Sequence, residues 1–242
     1  MKTLDRIFSV KTNIVELLGI NQQITTHKEK FISFAGGFIS IYLIYLVTEK
    51  TLGIADAIYI IPSMGATAVL LFAAPNVQFS QPWNVFGGHI VSAIVGVACY
   101  QLIPDSHIAA AASVGLAIWA QYYLRCLHPP GGATALAAVI GSSQIHDLSY
   151  LYVITPVLVN TLVMLVFAVA FNALFSWRNY PASLAKIASS PNKTDIYSPI
   201  KHEDFVFALS QIDSMVDISE AELLKIYSLA TKHSNKDTIK KV

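Results

Sequence analysis

Phe31-Ile-Ser-Phe-Ala-Gly-Gly-Phe-Ile-Ser-Ile-Tyr-Leu-Ile-Tyr-Leu-Val-Thr48 is an uncharged run, closed on one side by Lys28, Glu29 and Lys30 and on the other by Glu49 and Lys50. About 20 residues of helix cross roughly 30 Å of hydrocarbon, so a run of this kind reads as a membrane span. Ala35, Gly36, Gly37 and Ser40 set small residues along one face of that helix, where a neighbouring helix can approach closely.

The pattern extends outward on the C-terminal side. From Phe31 to Trp177 the Asp, Glu, Lys and Arg residues are Glu49, Lys50, Asp56, Asp105, Arg125 and Asp147, six of the chain's 16 basic and 15 acidic residues. The 242 residues are 54% hydrophobic and 13% charged, with a mean hydropathy of +0.54, whereas soluble domains carry about 25% charged residues. A water-soluble core of that composition is excluded. A net charge of +1 without a basic cluster also argues against nucleic acid as a partner. The first thirty residues lack the apolar stretch and cleavage site of a secretory signal. Cys99 and Cys126 lie in or beside apolar runs and read as small hydrophobes rather than a disulfide or a metal site.

Further apolar stretches follow at Leu52 to Ala74, interrupted at Pro62, and at Val85 to Ile103, Ile108 to Leu124, Pro129 to Ser142 and Leu151 to Trp177. The expected fold class is therefore an all-α membrane protein with four to six transmembrane segments. Both counts stand at this point, because the broken second stretch and the short fifth one can each be counted or not. The basic residues Lys2, Arg6, Lys11, Lys28 and Lys30 precede the first span, and Arg178, Lys186 and Lys193 follow the last. This places both termini in the cytoplasm and makes the number of crossings even. The expected location is the inner (plasma) membrane, with the lipid bilayer as the surrounding partner.

Two segments match internally. Pro62-Ser-Met-Gly-Ala-Thr-Ala68 and Pro129-Pro-Gly-Gly-Ala-Thr-Ala135 lie 67 residues apart and agree at five of seven positions, each in the middle element of three apolar segments. With three crossings per unit the second unit is inserted upside down, which is an inverted repeat. Proline favours the first turn of a helix, so Pro62 and Pro129 or Pro130 are expected to start two half-helices inside the membrane region. The free amides at such starts, with the positive end of the helix dipole, bind small anions. Gly65, Gly131 and Gly132 let a ligand near the main chain, and Ser63, Thr67 and Thr134 add hydroxyl donors. The same residues also serve close helix packing.

Polar residues nearby extend the candidate site. His89 and His128 sit at or near apolar segments, where an imidazole can donate a hydrogen bond, attract an anion when protonated or carry a proton. Arg125 is a candidate entrance residue or an interfacial anchor. His107 and His146 read as solvated. No carboxylate falls deep in a span, which disfavours a cationic cargo. No nucleophile elbow, paired carboxylates or His-x-x-x-His spacing occurs, so no enzymatic activity, cofactor or metal is expected.

After Trp177 the Pro- and Ser-containing stretch reads as a linker, followed by amphipathic helices at about Glu203 to Ser214 and Glu220 to His233, the second opened by the Ser219/Glu222 capping box. The expected organisation is an N-terminal cytoplasmic segment over 1–30, a transmembrane domain over 31–177 and a tail over 178–242.

Leu124-Arg-Cys-Leu-His-Pro-Pro-Gly-Gly-Ala-Thr-Ala-Leu136, with Gly65-Ala-Thr-Ala-Val-Leu-Leu-Phe-Ala-Ala-Pro75 and Gln81-Pro-Trp-Asn-Val-Phe-Gly-Gly-His89, resembles the HPP family of integral membrane proteins. The likeness covers most of 31–177. It carries over Pro62, Gly65, Ala66 and Thr67, then Asn84, Gly87, Gly88 and His89, and Arg125 with His128 to Thr134. Plant plastid and cyanobacterial members of the family are associated with nitrite transport. The resemblance thus implies a transporter or channel for a small inorganic anion, with nitrite the first candidate. A homodimer is expected because so few spans rarely enclose a path alone. The alternative is a non-transporting membrane scaffold or sensor that acts through its cytoplasmic tail.

Overall fold

The computed structural model describes residues 25–52, 54–178 and 180–183. The sequence expectations for the N-terminal segment before residue 25 and for the two tail helices lie outside the described residues. Among these residues the regular structure is helical: α1 His27–Leu52, α2 Ile54–Ala73, α3 Pro82–Leu102, α4 Ser106–Tyr123, α5 Pro130–Ile140, α6 Ser143–Leu148 and α7 Val159–Asn172. A 3₁₀ turn, Gln78–Ser80, precedes α3, and a π-helical turn, Val153–Leu158, leads into α7. The chain is an all-α membrane protein, in which α1, α3 and the stretch Val153–Asn172 are long and apolar enough to cross a bilayer.

The large side chains exposed on α1, among them Phe31, Phe34, Phe38 and Tyr42, suit lipid rather than water. The interior holds Ile44, Met64, Leu71, Phe72, Val85, Tyr152, Val157 and Met164. Gly36 lies against the rings of Phe72 and Phe171, so α2 and α7 come in at that point of the small face read from the sequence, while Gly37 borders open space. Helix α1 packs on α2, and α7 packs on both of them. In the same way α4 packs on α5, and α3 packs on both of those. Contacts of α2 with α5, and of α3 with the π-helical turn, join the two groups.

Helices α1 and α7 run antiparallel, as two pairs of contacts establish. At one end Arg178 Nη2 meets Glu29 Oε1 at 2.6 Å, and at the other Asn160 Nδ2 donates to Thr48 Oγ1 at 2.8 Å. The ion pair is buried and extended: Arg178 also donates to Ser33 Oγ and to Asn172 Oδ1, and Trp177 Nε1 donates to the second Glu29 oxygen. In the sequence Arg178 is one of several basic end residues; in the fold it ties the start of the first span to the end of the last.

Pro62 departs from expectation. It lies inside α2 rather than at a helix start, and it is exposed. The helix runs on through it: Ser63 Oγ donates to Ile60 O at 2.9 Å, and Thr67 Oγ1 lies 3.0 Å from Ser63 O. Only one of the two expected half-helix starts is present. Helix α5 does begin at Pro130, with Pro129 at its cap, and its 11 residues cover about 16 Å. The irregular chain from Leu124 to Pro129 precedes it, with Cys126 and His128 buried. His146 is half-buried rather than solvated: its Nε2 faces Val139 O at 3.1 Å, and its ring stacks on Tyr100.

Candidate functional site

Three helices and one loop bring polar side chains together in an apolar bundle. Thr67 comes from α2, His89 from α3, Thr134 from α5 and His128 from the loop before α5; all four are fully buried. Thr67 Oγ1 lies 2.9 Å from His89 Nε2 and 3.0 Å from His128 Nε2. His89 Nδ1 lies 2.8 Å from Thr134 Oγ1, and His128 Nδ1 lies 2.8 Å from the carbonyl of Phe79. The two rings meet edge to face with centroids 4.9 Å apart. His89 is the eighth residue of α3, which places it about 10 Å from the start of that helix.

The surrounding residues explain why the loop can enter the bundle. Irregular backbone at membrane depth needs partners for its polar groups, and here it has them. Gln121 Oε1 accepts from His128 N at 2.7 Å while Gln121 Nε2 donates to Ser92 Oγ at 2.8 Å. Asn84 Nδ2 donates to Leu127 O at 2.9 Å, and Trp83 Nε1 donates to Leu124 O at 3.2 Å. Tyr152 OH donates to Thr134 O at 2.9 Å. Gln121, Ser92, Tyr152 and the Phe79 carbonyl are absent from the sequence-derived candidates. Gln121 and Ser92 carried a readable signal, since an amide or hydroxyl in an apolar span needs a buried partner. A backbone carbonyl carries none.

The candidates thus separate into groups. Thr67, His89, His128 and Thr134 form the cluster, and Asn84 secures the loop. Gly131 and Gly88 allow the close approach: a Cβ on Gly131 would stand 2.7 Å from Gly88 O and 2.8 Å from both Gln121 Nε2 and Ser92 Oγ, and one on Gly88 would strike His128 Cβ. Pro130 is buried. Ser63 bonds within its own helix. Gly65 faces away, in an open apolar groove of about 270 Å³ between α1 and α2, and Gly132 borders Val114. Pro62, Pro129 and Arg125 are exposed, so Arg125 is outside the cluster.

The expected site of paired free amides is not what the fold builds. Pro62 starts no helix, and at the second motif Gly131 N donates to His128 O at 2.9 Å and Gly132 N to Pro129 O at 3.0 Å. Turn closure occupies the donors that were expected to face a ligand. What the two motifs contribute instead is their threonines, one on each side of His89. Each polar side-chain atom of the cluster has a partner: buried side-chain polar atoms without one among the described residues are Asn76 Oδ1, Asn160 Oδ1, Arg178 Nε and Tyr180 OH, none of them in it.

Residues 22–181 match the family described as HPP, transmembrane region. Two transmembrane proteins of Dictyostelium discoideum are similar, at 36% and 33% identity over 153 residues each. The aligned part is 62% of this chain in both cases, and 49% and 53% of those proteins. The chain therefore spans about half the length of the curated relatives it matches. No solved structure matches it.

Proposed function

This chain belongs to the HPP transmembrane family, and we propose that it is a membrane transporter or channel for a small inorganic anion, with nitrite the first candidate. The observation that supports the reading is the buried pair of imidazoles linked through Thr67. No carboxylate, lysine or arginine among the described residues is bonded to either ring. A protonated imidazole here would be the local positive charge, and an anion is the partner that compensates it at least cost in a low dielectric. The threonine hydroxyls can turn to donate to that anion, a role taken over from the helix-start amides.

The helix pairing also supports an inverted repeat: α3 packs on α4 and α5 as α7 packs on α1 and α2. In such transporters the binding residues lie between the repeats and one half moves against the other. A cargo-bearing state then requires the cluster to open, because in its closed form the ring nitrogens and hydroxyls are hydrogen-bonded to one another and to the Phe79 carbonyl.

The test is flux of nitrite, nitrate, formate and chloride into liposomes carrying the full chain, with and without a proton gradient. Nitrite uptake above that of protein-free liposomes is expected, with a loss of at least tenfold in His89→Ala. Absence of flux for all four ions under every gradient overturns the reading and favours the scaffold alternative.

A further inference from the structure

The hydrogen positions in the cluster follow from its acceptors. A carbonyl only accepts, so His128 Nδ1, facing Phe79 O at 2.8 Å, carries a hydrogen. In a neutral ring Nε2 is then bare and must accept, which makes Thr67 Oγ1 its donor at 3.0 Å. Thr67 has a single hydroxyl hydrogen, so the contact with His89 Nε2 at 2.9 Å is His89 donating to Thr67. His89 Nδ1 is bare in turn and accepts from Thr134 Oγ1 at 2.8 Å. Every bond points the same way, from Thr134 through His89, Thr67 and His128 to the Phe79 carbonyl.

This order makes the two histidines unequal. Thr67 Oγ1 has a third neighbour, the Ser63 carbonyl at 3.0 Å. If a proton binds His128 Nε2, the new N–H donates to Thr67, Thr67 keeps accepting from His89, and its own hydrogen turns to Ser63 O. Two lone pairs and one hydrogen are all used, and no group loses its partner. A proton on His89 Nδ1 would instead have to be donated to Thr134 Oγ1, whose bond among the described residues is that to His89; the Thr134 hydrogen would be left without an acceptor.

We propose that His128 is the proton-binding residue of the cluster and that the Thr67 hydroxyl is the rotor that admits the proton. The inference rests on the reading of the cluster as a working site and deepens it, since it names which ring takes the charge. The groups that face His128 are Thr67 from α2, the Phe79 carbonyl from the 3₁₀ turn, His89 from α3 and Gln121 from α4. Of these only His89 titrates, and Tyr152 stands one bond further on, at Thr134 O. The proton comes from water and adds one positive charge to the cluster, which the anion of the proposed function balances.

The test is nitrogen NMR of full-length protein with ¹⁵N-labelled histidine in lipid nanodiscs, titrated from neutral to acid pH. With the five other histidines of the chain, His27, His107, His146, His202 and His233, replaced by Gln, the two rings are distinguishable by tautomer, because the network fixes opposite neutral forms: hydrogen on Nδ1 in His128 and on Nε2 in His89. The Nδ1–H ring is expected to become doubly protonated first, with the other ring keeping its tautomer. In Thr67→Ser the transition persists, and in Thr67→Val it is lost over the range in which circular dichroism shows the helices intact. Two rings with the same neutral tautomer, or the Nε2–H ring charging first, overturn the proposal, and the spectra of the two-histidine protein with Thr67 intact decide even if Thr67→Val fails to fold. A titrating His128 in protein that carries no anion keeps the proton site and removes the transport reading. Anion flux with an His128 that never charges does the reverse.

Discussion

Thr67 and Thr134, 67 positions apart in the chain, hydrogen-bond to the two nitrogens of a single ring, that of His89. They hold the same place in the two matching segments, so the internal match in the sequence is realised as a bracket around one imidazole. The relationship also sets a hierarchy. Thr134 serves one ring and Thr67 serves two, which makes Thr67 the residue on which the cluster depends most.

Replacing the two threonines tests that hierarchy. Thr67→Val strips the partner from both Nε2 atoms, and a buried polar group left unpaired costs about 1–3 kcal/mol. Thr134→Val strips one. The expected loss is therefore about twice as large for Thr67→Val, measured by thermal unfolding in detergent. Equal losses would mean that the shared hydroxyl is not the centre of the network.

Glycine substitutions should separate the two faces of the bundle. Gly131→Ala drives a methyl into Gly88 O, Gln121 and Ser92, and overpacking of this kind costs about 1–3 kcal/mol. Gly65→Ala and Gly37→Ala meet nothing within 4 Å and are expected to leave the melting temperature unchanged or higher, since alanine is favoured over glycine in a helix interior by about 0.5–1 kcal/mol. A tolerated Gly131→Ala would show that α3 and α5 are further apart than described.

The Glu29–Arg178 pair offers a double-mutant cycle. Each of Glu29→Leu and Arg178→Met leaves a charge in a buried setting, which costs about 3–5 kcal/mol. The double variant is expected to recover more than half of either loss, because the uncompensated charge disappears with its partner. Additive losses would place both groups in water rather than against each other.

Arg125 sits at φ 53 with its side chain exposed. A left-handed conformation costs a side-chain-bearing residue about 1–2 kcal/mol relative to glycine. Arg125→Gly is therefore expected to melt at the same temperature or higher and to leave anion flux unchanged. A drop in flux would return Arg125 to the site as an entrance residue.

The sequence by itself determined the membrane class, the approximate span positions and the start of α5, since these depend on local properties: charge-free length, and a proline ring that suits a first turn. It also put Thr67, His89, His128 and Thr134 among the candidates. It could not rank them. Pro62 and Pro130 look alike in the chain, yet one is carried inside a continuous helix and the other opens a new one. Gly65 lines an open groove, its counterpart Gly132 borders Val114, and Gly131 beside it lies against α3. Such differences come from which helices meet, and so do the partners Gln121, Tyr152, the Phe79 carbonyl and the Glu29–Arg178 tie. Each joins residues with no local reason to be together. Hydrogen-bond direction was likewise decided in three dimensions: a carbonyl placed by the turn at Phe79 fixes the proton on His128, and that choice passes through Thr67 to His89 and on to Thr134.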